Sequence, residues 1–375
     1  MLFRSSRGLE RYGKLEKITC AEWQDYMLWL RRVLKIPVQS STRMTLLEPE
    51  GKLFKLTVEH EGKTKAMYTR RVVLATGPYS AGGPNIPEQV IKGGIPKSHY
   101  AHVTEVFDFD ILKGKRVACV GAGASAFDNS GSALDHGAKS VIQLIRRPKI
   151  PRLAMIRWTD WSGFLHTFAD LPDADKWRLQ LQVQKNPSPP PLTALRRVEK
   201  YSNFEVHFSS PLLSTKMKGN EIVIETPKGI HTVDFLLLGT GYTFDIANNC
   251  PPLAKIGKQI ALWRDRYTPP DGSGSERFRN SPYLGRFYEF TEKVPGTAPY
   301  LGHIFNFNQS ATLSMGPTGR VSGIRYGARR LQMGITGSFI REDVDYHLST
   351  ALAFDNSEIE GHPWAEEGRK KKAAE

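Results

Sequence analysis

KRVACVGAGASAFDNSGSALDHGAKSVIQLIRR, residues 115–147, decides the fold. It opens on a short apolar run, 116–120, and passes at once into Gly121-Ala122-Gly123-Ala124-Ser125-Ala126. A helical stretch follows to about His136, and a second apolar run, 140–145, closes it. Strand, glycine turn, helix and second strand in that order make a βαβ unit of the dinucleotide-binding kind; an ordinary glycine-rich turn is the plainer alternative. Each small residue has its own physical reason. Gly121 lets the chain turn tightly out of the strand, and Gly123 lets the backbone approach a pyrophosphate. Ala126, standing where a third glycine is usual, lets the helix pack closely on the sheet. The diphosphate rests at the helix N-terminus, where unpaired N–H groups and the macrodipole favour negative charge. The second strand ends on Arg146 and Arg147. An NAD site carries Asp or Glu about 20 residues after its glycines, to bind the ribose 2′-OH, whereas arginines there suit the 2′-phosphate of NADP. The stretch therefore predicts an NADP site, with solvated surface arginines as the plainer alternative.

Composition bounds what surrounds this unit. The chain has 375 residues, enough for two or three domains, with 40% apolar and 24% charged residues, a globular balance. Its net charge of +14 raises the question of nucleic acid. The basic residues are scattered, however, with one dense run at 369–372, and no helix-turn-helix, zinc-finger or RNP pattern accompanies them. Anionic cofactors and a solvated basic surface account for the charge, so no nucleic-acid partner is expected. Cys20, Cys119 and Cys250 lie far apart with no CxxC, which suggests neither a disulfide framework nor a thiol redox centre. No apolar run reaches the roughly 18 residues of a membrane span and no signal-peptide pattern opens the chain, so a cytoplasmic location is expected.

Along the chain, 21–34 has Trp23, Met27, Leu30 and Val33 at helical spacing. The runs 44–47, 54–59, 65–68 and 72–75 read as an antiparallel meander ending in a buried strand. A Pro/Gly-rich loop, 77–96, leads into the nucleotide unit. Beyond it, 150–195 reads as helical and loop-like, broken by the NPSPPP stretch at 186–191, a stiff hinge or surface connector. Strands return at 205–208, 221–225 and 232–239. The last of these ends as an earlier one does: LATG at 74–77 and LGTG at 238–241 both set an apolar strand directly before a small-Thr-Gly turn. A tight turn with a free Thr hydroxyl suits the underside of a cofactor or an interdomain hinge, which singles out Ala75, Thr76 and Gly77, and Thr240 with Gly241. Further on, Ser314-Met315-Gly316-Pro317-Thr318-Gly319 precedes a helical pattern at 320–335. Gly316, Thr318 and Gly319 form either an electropositive pole for an anionic or electron-rich group or a structural helix start.

Taken together, LATG, the GAGASA unit ending in RR, and LGTGYTFD resemble the two-dinucleotide-domain flavin monooxygenases: the flavin-containing, Baeyer–Villiger and N-hydroxylating enzymes. The resemblance covers roughly residues 20–340. It implies an α/β fold of the FAD/NAD(P)-binding Rossmann-like kind, with Ala75–Gly77 and Gly316–Gly319 facing FAD. It also implies an NADPH-dependent oxygenation of a small organic substrate through a C4a-peroxyflavin. This group places a His between the first ATG turn and the second nucleotide unit, and HYAHVTEVFDF supplies His102 on the hinge or NADP side, with His99 as second choice. One departure stands out. Such proteins open with a GxGxxG unit for the ADP part of FAD, and 1–110 contains nothing like it. The expected fold thus lacks the first FAD βαβ unit, as in a truncated product, an incomplete gene model or a protein that has lost tight flavin binding.

The expected division is a partial FAD-type domain with its meander at 1–111, an NADP domain at 112–240 with a helical and Pro-rich insertion near 150–200, a return to the FAD-type domain at 241–345, and a basic tail at 346–375. The alternative to an enzyme is a catalytically silent NADP-binding module without stable FAD. A thiol-disulfide reductase of the related fold is disfavoured by the cysteine spacing. No catalytic triad or metal cluster is expected, because the cofactors carry the chemistry. Substrate identity and oligomeric state are not legible.

Overall fold

A computed structural model of the chain describes residues 19–77, 82–359 and 362. It divides into two compact units: one holds the described residues up to 46 together with 56–67, and the other holds 47–55 and the described residues from 68 onward.

The first unit begins with the helix Cys20–Val33. Thr19 caps it, accepting a hydrogen bond from the Glu22 N–H at 3.2 Å while the Glu22 carboxylate accepts one from the Thr19 N–H at 3.0 Å. Three strands come next along the chain, β1 (Thr42–Glu50), β2 (Leu53–His60) and β3 (Lys63–Thr69), in a sheet of order β1-β2-β3; residues 47–55, 68 and 69 of this stretch count with the second unit. The strands are longer than the apolar runs suggest, because backbone pairing extends past the last apolar side chain at each end.

The second unit is built on a five-stranded parallel sheet. Its strands are β5 (Tyr100–His102), β6 (Arg116–Val120), β7 (Ser140–Ile145), β8 (Phe204–Phe208) and β12 (Phe235–Leu238), in the order β5-β12-β6-β7-β8. A parallel sheet must be covered on both faces. On one face lie Ala126, Phe127, Ala133 and Leu134 of the helix Ala124–Asp135, with Ala194 and Val198 of the helix Leu192–Val198. Strands β9 (Ser214–Lys218), β10 (Glu221–Thr226) and β11 (Gly229–Val233) form an antiparallel sheet in the order β11-β10-β9. This sheet covers the other face, through Ile222, Ile224 and Val233 packed with Leu144, Leu236 and Leu238. All four residues of β12 are buried.

The βαβ unit has the boundaries its sequence predicts, but the run 232–239 does not form a single strand. It breaks at Asp234, leaving β11 in one sheet and β12 in another. The cause is electrostatic: the Asp234 carboxylate accepts from the Arg116 backbone N–H at 2.7 Å and from the Arg116 guanidinium at 2.5 Å. The Arg116 charge holds the Asp234 carboxyl below the usual carboxylate range.

The run 72–75 does not close the antiparallel meander as expected: β4 (Val72–Val73) pairs in parallel with β13 (Ile304–Phe305), and the Leu74 N–H continues the pair to the Phe305 carbonyl at 2.8 Å. Phe305 also bridges Glu289 on its far side. Among the described residues, the other edge of β4 carries no strand. The helix read at 320–335 spans Ile324–Glu342, because residues 317–323 remain a turn. No described helix is long and apolar enough to cross a membrane.

Candidate functional site

The C-terminal ends of β6, β12 and β7 meet around Gly121. This glycine has φ +139°, outside the range side chains tolerate, and a Cβ there would stand 2.4 Å from the Gly239 carbonyl oxygen. Gly239 is equally constrained, since its Cβ would lie 2.6 Å from that of Ala126. Three chain segments therefore approach as closely as backbone allows, and Ala126 is as large as the third position can be. Gly123 is different. It caps the helix Ala124–Asp135, lines the cleft above the strand ends, and a Cβ on it would meet nothing within 4 Å. The space its missing side chain leaves belongs to the cleft, which is the cradle a diphosphate requires. Ala124 and Ser125 form the first turn of that helix, and Ala122 lines the cleft beside Gly123.

The cleft encloses about 580 Å³. It brings together Gly121, Ala122 and Gly123 with Arg146, Arg147, Gly239 and Thr240. No Asp or Glu lines it. Arg146 makes no hydrogen bond or ion pair among the described residues, and Arg147 donates to the Lys185 carbonyl at 3.2 Å. Next to it, sharing Arg147, Pro151 and Pro187, lies a second hollow with Lys149, Arg152 and Lys185 and again no carboxylate. Uncompensated positive charge at the strand ends favours a polyanionic ligand. Arg277, Gln184, Asn85, Pro187 and Ser188 also line the cleft, none of which the sequence singles out as a ligand residue. Pro187 and Ser188 come from the NPSPPP stretch, read above as a hinge or surface connector, which here supplies part of the wall.

Thr240 corrects one expectation. Its hydroxyl is not free: it donates to the Asn85 carbonyl, while the Asn85 N–H bonds the Gly241 carbonyl at 2.9 Å. The turn ties the loop 82–85 to the end of β12. His102 ends β5, in register with Leu238 of β12, fully buried and outside the cleft lining. Its Nδ1 pairs with the Thr104 hydroxyl at 2.7 Å, and among the described residues its buried Nε2 meets no partner at hydrogen-bond geometry. Burial lowers its pKa below the ordinary 6.5, and the nearby Gly241 backbone opposes this only in part. His99 instead pairs with Asn220 at 3.0 Å, away from the strand ends.

The residues read as flavin-facing fall into two groups. Ala75 and Thr76 are exposed at the end of β4, with Gly77 half-buried after them. Gly316 and Thr318 are buried. A Cβ on Gly316 would press on the Phe168 ring at 3.0 Å, and the Thr318 hydroxyl is bonded to Tyr288. Gly319 alone of that turn is exposed. Gly323 caps the helix that follows, without a side-chain capping bond.

The family model of L-lysine 6-monooxygenase/L-ornithine 5-monooxygenase matches residues 9–160. The chain is 32% identical over 362 residues to the FAD-dependent urate hydroxylase of Xanthomonas campestris pv. campestris, covering 96% of this chain and 76% of that protein. Two solved structures share the fold. The ornithine hydroxylase of Pseudomonas aeruginosa aligns over 91% of this chain and 80% of its own, with TM-score 0.65 and 15% identity. The ornithine N-hydroxylase of Kutzneria sp. 744, determined with reduced FAD, NADP+ and L-ornithine, aligns over 91% and 82%, with TM-score 0.65 and 16% identity.

Proposed function

This chain belongs to the flavin-dependent monooxygenases, and from that premise we propose that it binds NADPH in the cleft at the ends of β6, β7 and β12 and works with FAD to oxygenate a small nitrogen-bearing molecule. The observation that carries the reading is the cleft itself: a glycine cradle open at Gly123, beside arginines, with no carboxylate in its lining. Gly121, Ala122 and Gly123 present backbone to the diphosphate, and the N–H groups of Ala124 and Ser125 face it from the first turn of the helix. Arg146 and Arg147 take the 2′-phosphate, as bidentate donors suited to phosphate oxygens. Thr240 and Gly241 hold the loop 82–85 against the cleft rather than binding the nucleotide through a hydroxyl. His102, buried at the end of β5 and outside the cleft lining, is a packing residue in this reading rather than a nucleotide ligand.

When bound, NADPH supplies a hydride and FAD the redox centre through which dioxygen is used. Among the described residues the one strand–glycine turn–helix cradle is that of the NADP cleft, so the flavin contacts we assign are limited to Ala75–Gly77 and Gly319. Gly316 and Thr318 shape the turn from inside. The nitrogen-bearing substrate class rests on the names of the relatives, which act on lysine, ornithine and urate.

Titration of the chain with NADPH and NADH, followed by nucleotide fluorescence, tests the cofactor reading. NADPH binds at least tenfold tighter, and Arg146→Ala combined with Arg147→Ala removes that preference while leaving NADH affinity in place. Equal affinity for the two nucleotides in the unaltered chain would refute it.

A further inference from the structure

Arg277 belongs to no sequence motif and lies far along the chain from the βαβ unit, in the short helix Glu276–Arg279. Its place is fixed by its neighbours. Phe278 is buried among Trp177, Trp263 and Leu313, and the Trp177 indole N–H holds the preceding loop through the Ser273 carbonyl at 2.9 Å. The Ser281 hydroxyl donates to the Arg277 carbonyl at 3.0 Å. With Phe278 anchored inward, Arg277 is among the residues that line the cleft. Its guanidinium carbon lies 4.3 Å from the centre of the Phe244 ring.

What it lacks is an acceptor. A guanidinium has five N–H donors, yet among the described residues the Arg277 head group has no hydrogen bond and no ion pair. The nearest sequence candidate, Glu276, pairs with Arg279 at 3.8 Å and accepts from Asn280 at 3.2 Å. Arg277 is exposed to the cleft, but protein crowds it enough to pull its pKa below that of an ordinary arginine. A guanidinium that faces the cleft with its five donors unpaired is placed to take an anionic group of a ligand.

Its position along the sheet says which part of a dinucleotide that is. Arg146 and Arg147 follow β7, on one side of the Gly121 turn. Phe244 follows β12, on the other side, through the Gly239–Gly241 turn that the loop 82–85 pins. A dinucleotide with its 2′-phosphate at β7 and its diphosphate over Gly121 extends its nicotinamide half toward β12, where Arg277 waits. We propose that Arg277 binds the nicotinamide-side phosphate of NADP(H) from the wall facing the glycine turn, so that the diphosphate is clamped between backbone N–H groups and a guanidinium.

The inference rests on reading the cleft as the NADP site, and a two-ligand titration separates the two. Calorimetry on the whole chain uses NADP+, which carries both phosphates of the diphosphate, and 2′,5′-ADP, which carries only the adenosine-side ones. Arg277→Ala weakens NADP+ by about tenfold or more, the loss of a charge-assisted contact, and leaves 2′,5′-ADP unchanged. Arg277→Lys, which keeps the charge and the stem on Phe244, recovers part of the loss and shows that the fold is intact. Arg147→Ala weakens both ligands. Unchanged NADP+ affinity in Arg277→Ala, with Arg147→Ala still impaired, overturns the role of Arg277 and leaves the cleft standing. Equal weakening of both ligands by Arg277→Ala makes the residue structural and overturns it too. No binding of either ligand to the unaltered chain overturns the cleft reading and this inference with it.

Discussion

Replacing Gly121 by Ala tests whether the turn out of β6 is as tight as the packing requires. Two costs add. At φ +139° a side chain is held in a region L-residues rarely enter, worth ~1–3 kcal/mol. The new methyl also stands 2.4 Å from the Gly239 carbonyl oxygen and 3.3 Å from the Ala126 Cβ, and overpacking of a fixed site costs a further ~1–3 kcal/mol. Nothing nearby yields easily. The Gly239 N–H is bonded to the Val120 carbonyl at 2.8 Å and the Gly121 N–H to the Leu144 carbonyl at 3.0 Å. The Gly121 carbonyl accepts from the buried Gln143 amide at 2.7 Å, itself held by Ser130 at 2.6 Å. The sum is about 2–6 kcal/mol, to be read from urea unfolding followed by tryptophan fluorescence. The companion change, Gly123→Ala, separates packing from binding. Its φ is −89° and its methyl meets no protein atom within 4 Å, so stability changes by less than about 1 kcal/mol, the scale of an N-cap exchange. NADP(H) affinity nevertheless falls, because the methyl occupies the cradle. Wild-type unfolding in Gly121→Ala would refute the packing argument, and wild-type nucleotide affinity in Gly123→Ala would refute the cradle.

Two further outcomes follow from buried titratable groups. His102, His231 and His303 all have pKa values lowered by burial below 6.5, so the unfolded chain takes up protons that the folded chain refuses. Their stability contribution is present above pH 6.5 and is lost as pH falls below it; His102→Gln narrows the difference in urea midpoint between pH 7.5 and pH 5.5, and an unchanged difference would remove His102 from this account. Burial pushes the Cys119 and Cys250 thiols up to about 11, while Cys20 is exposed. A thiol reagent at neutral pH therefore labels Cys20 in the native chain and all three cysteines after unfolding, and rapid native labelling of a buried pair would revive a thiol-disulfide reading.

The parts of this molecule legible in its sequence are those set by local rules. Gly121, Gly123 and Ala126 stand at the expected strand–turn–helix junction, and Arg146 and Arg147 stand directly after the second strand. The flanking ATG and GTG turns likewise marked the ends of β4 and β12. What failed depended on distant partners. The break at Asp234 needs Arg116, more than a hundred residues earlier, to bond its carboxylate. Strand β9, STKMK, has too few apolar residues to show a period, and only its pairing with β10 makes it a strand. The Thr240 hydroxyl looked free because Asn85, its acceptor, lies across the fold. Arg277 gave no signal, since its meaning comes from Phe244 and from carboxylates that are not in the cleft. The Pro-rich stretch read as a connector is one in part, but its Pro187 and Ser188 also face the cleft.

The central claim, that the chain is an NADPH-using flavin monooxygenase, is tested most directly by oxygen uptake. Purified chain is mixed with FAD, passed through a desalting column, and supplied with NADPH in aerated buffer. A yellow protein that consumes NADPH and oxygen together, faster with NADPH than with NADH, is the predicted result. A chain that stays colourless after FAD and consumes neither NADPH nor oxygen would contradict it.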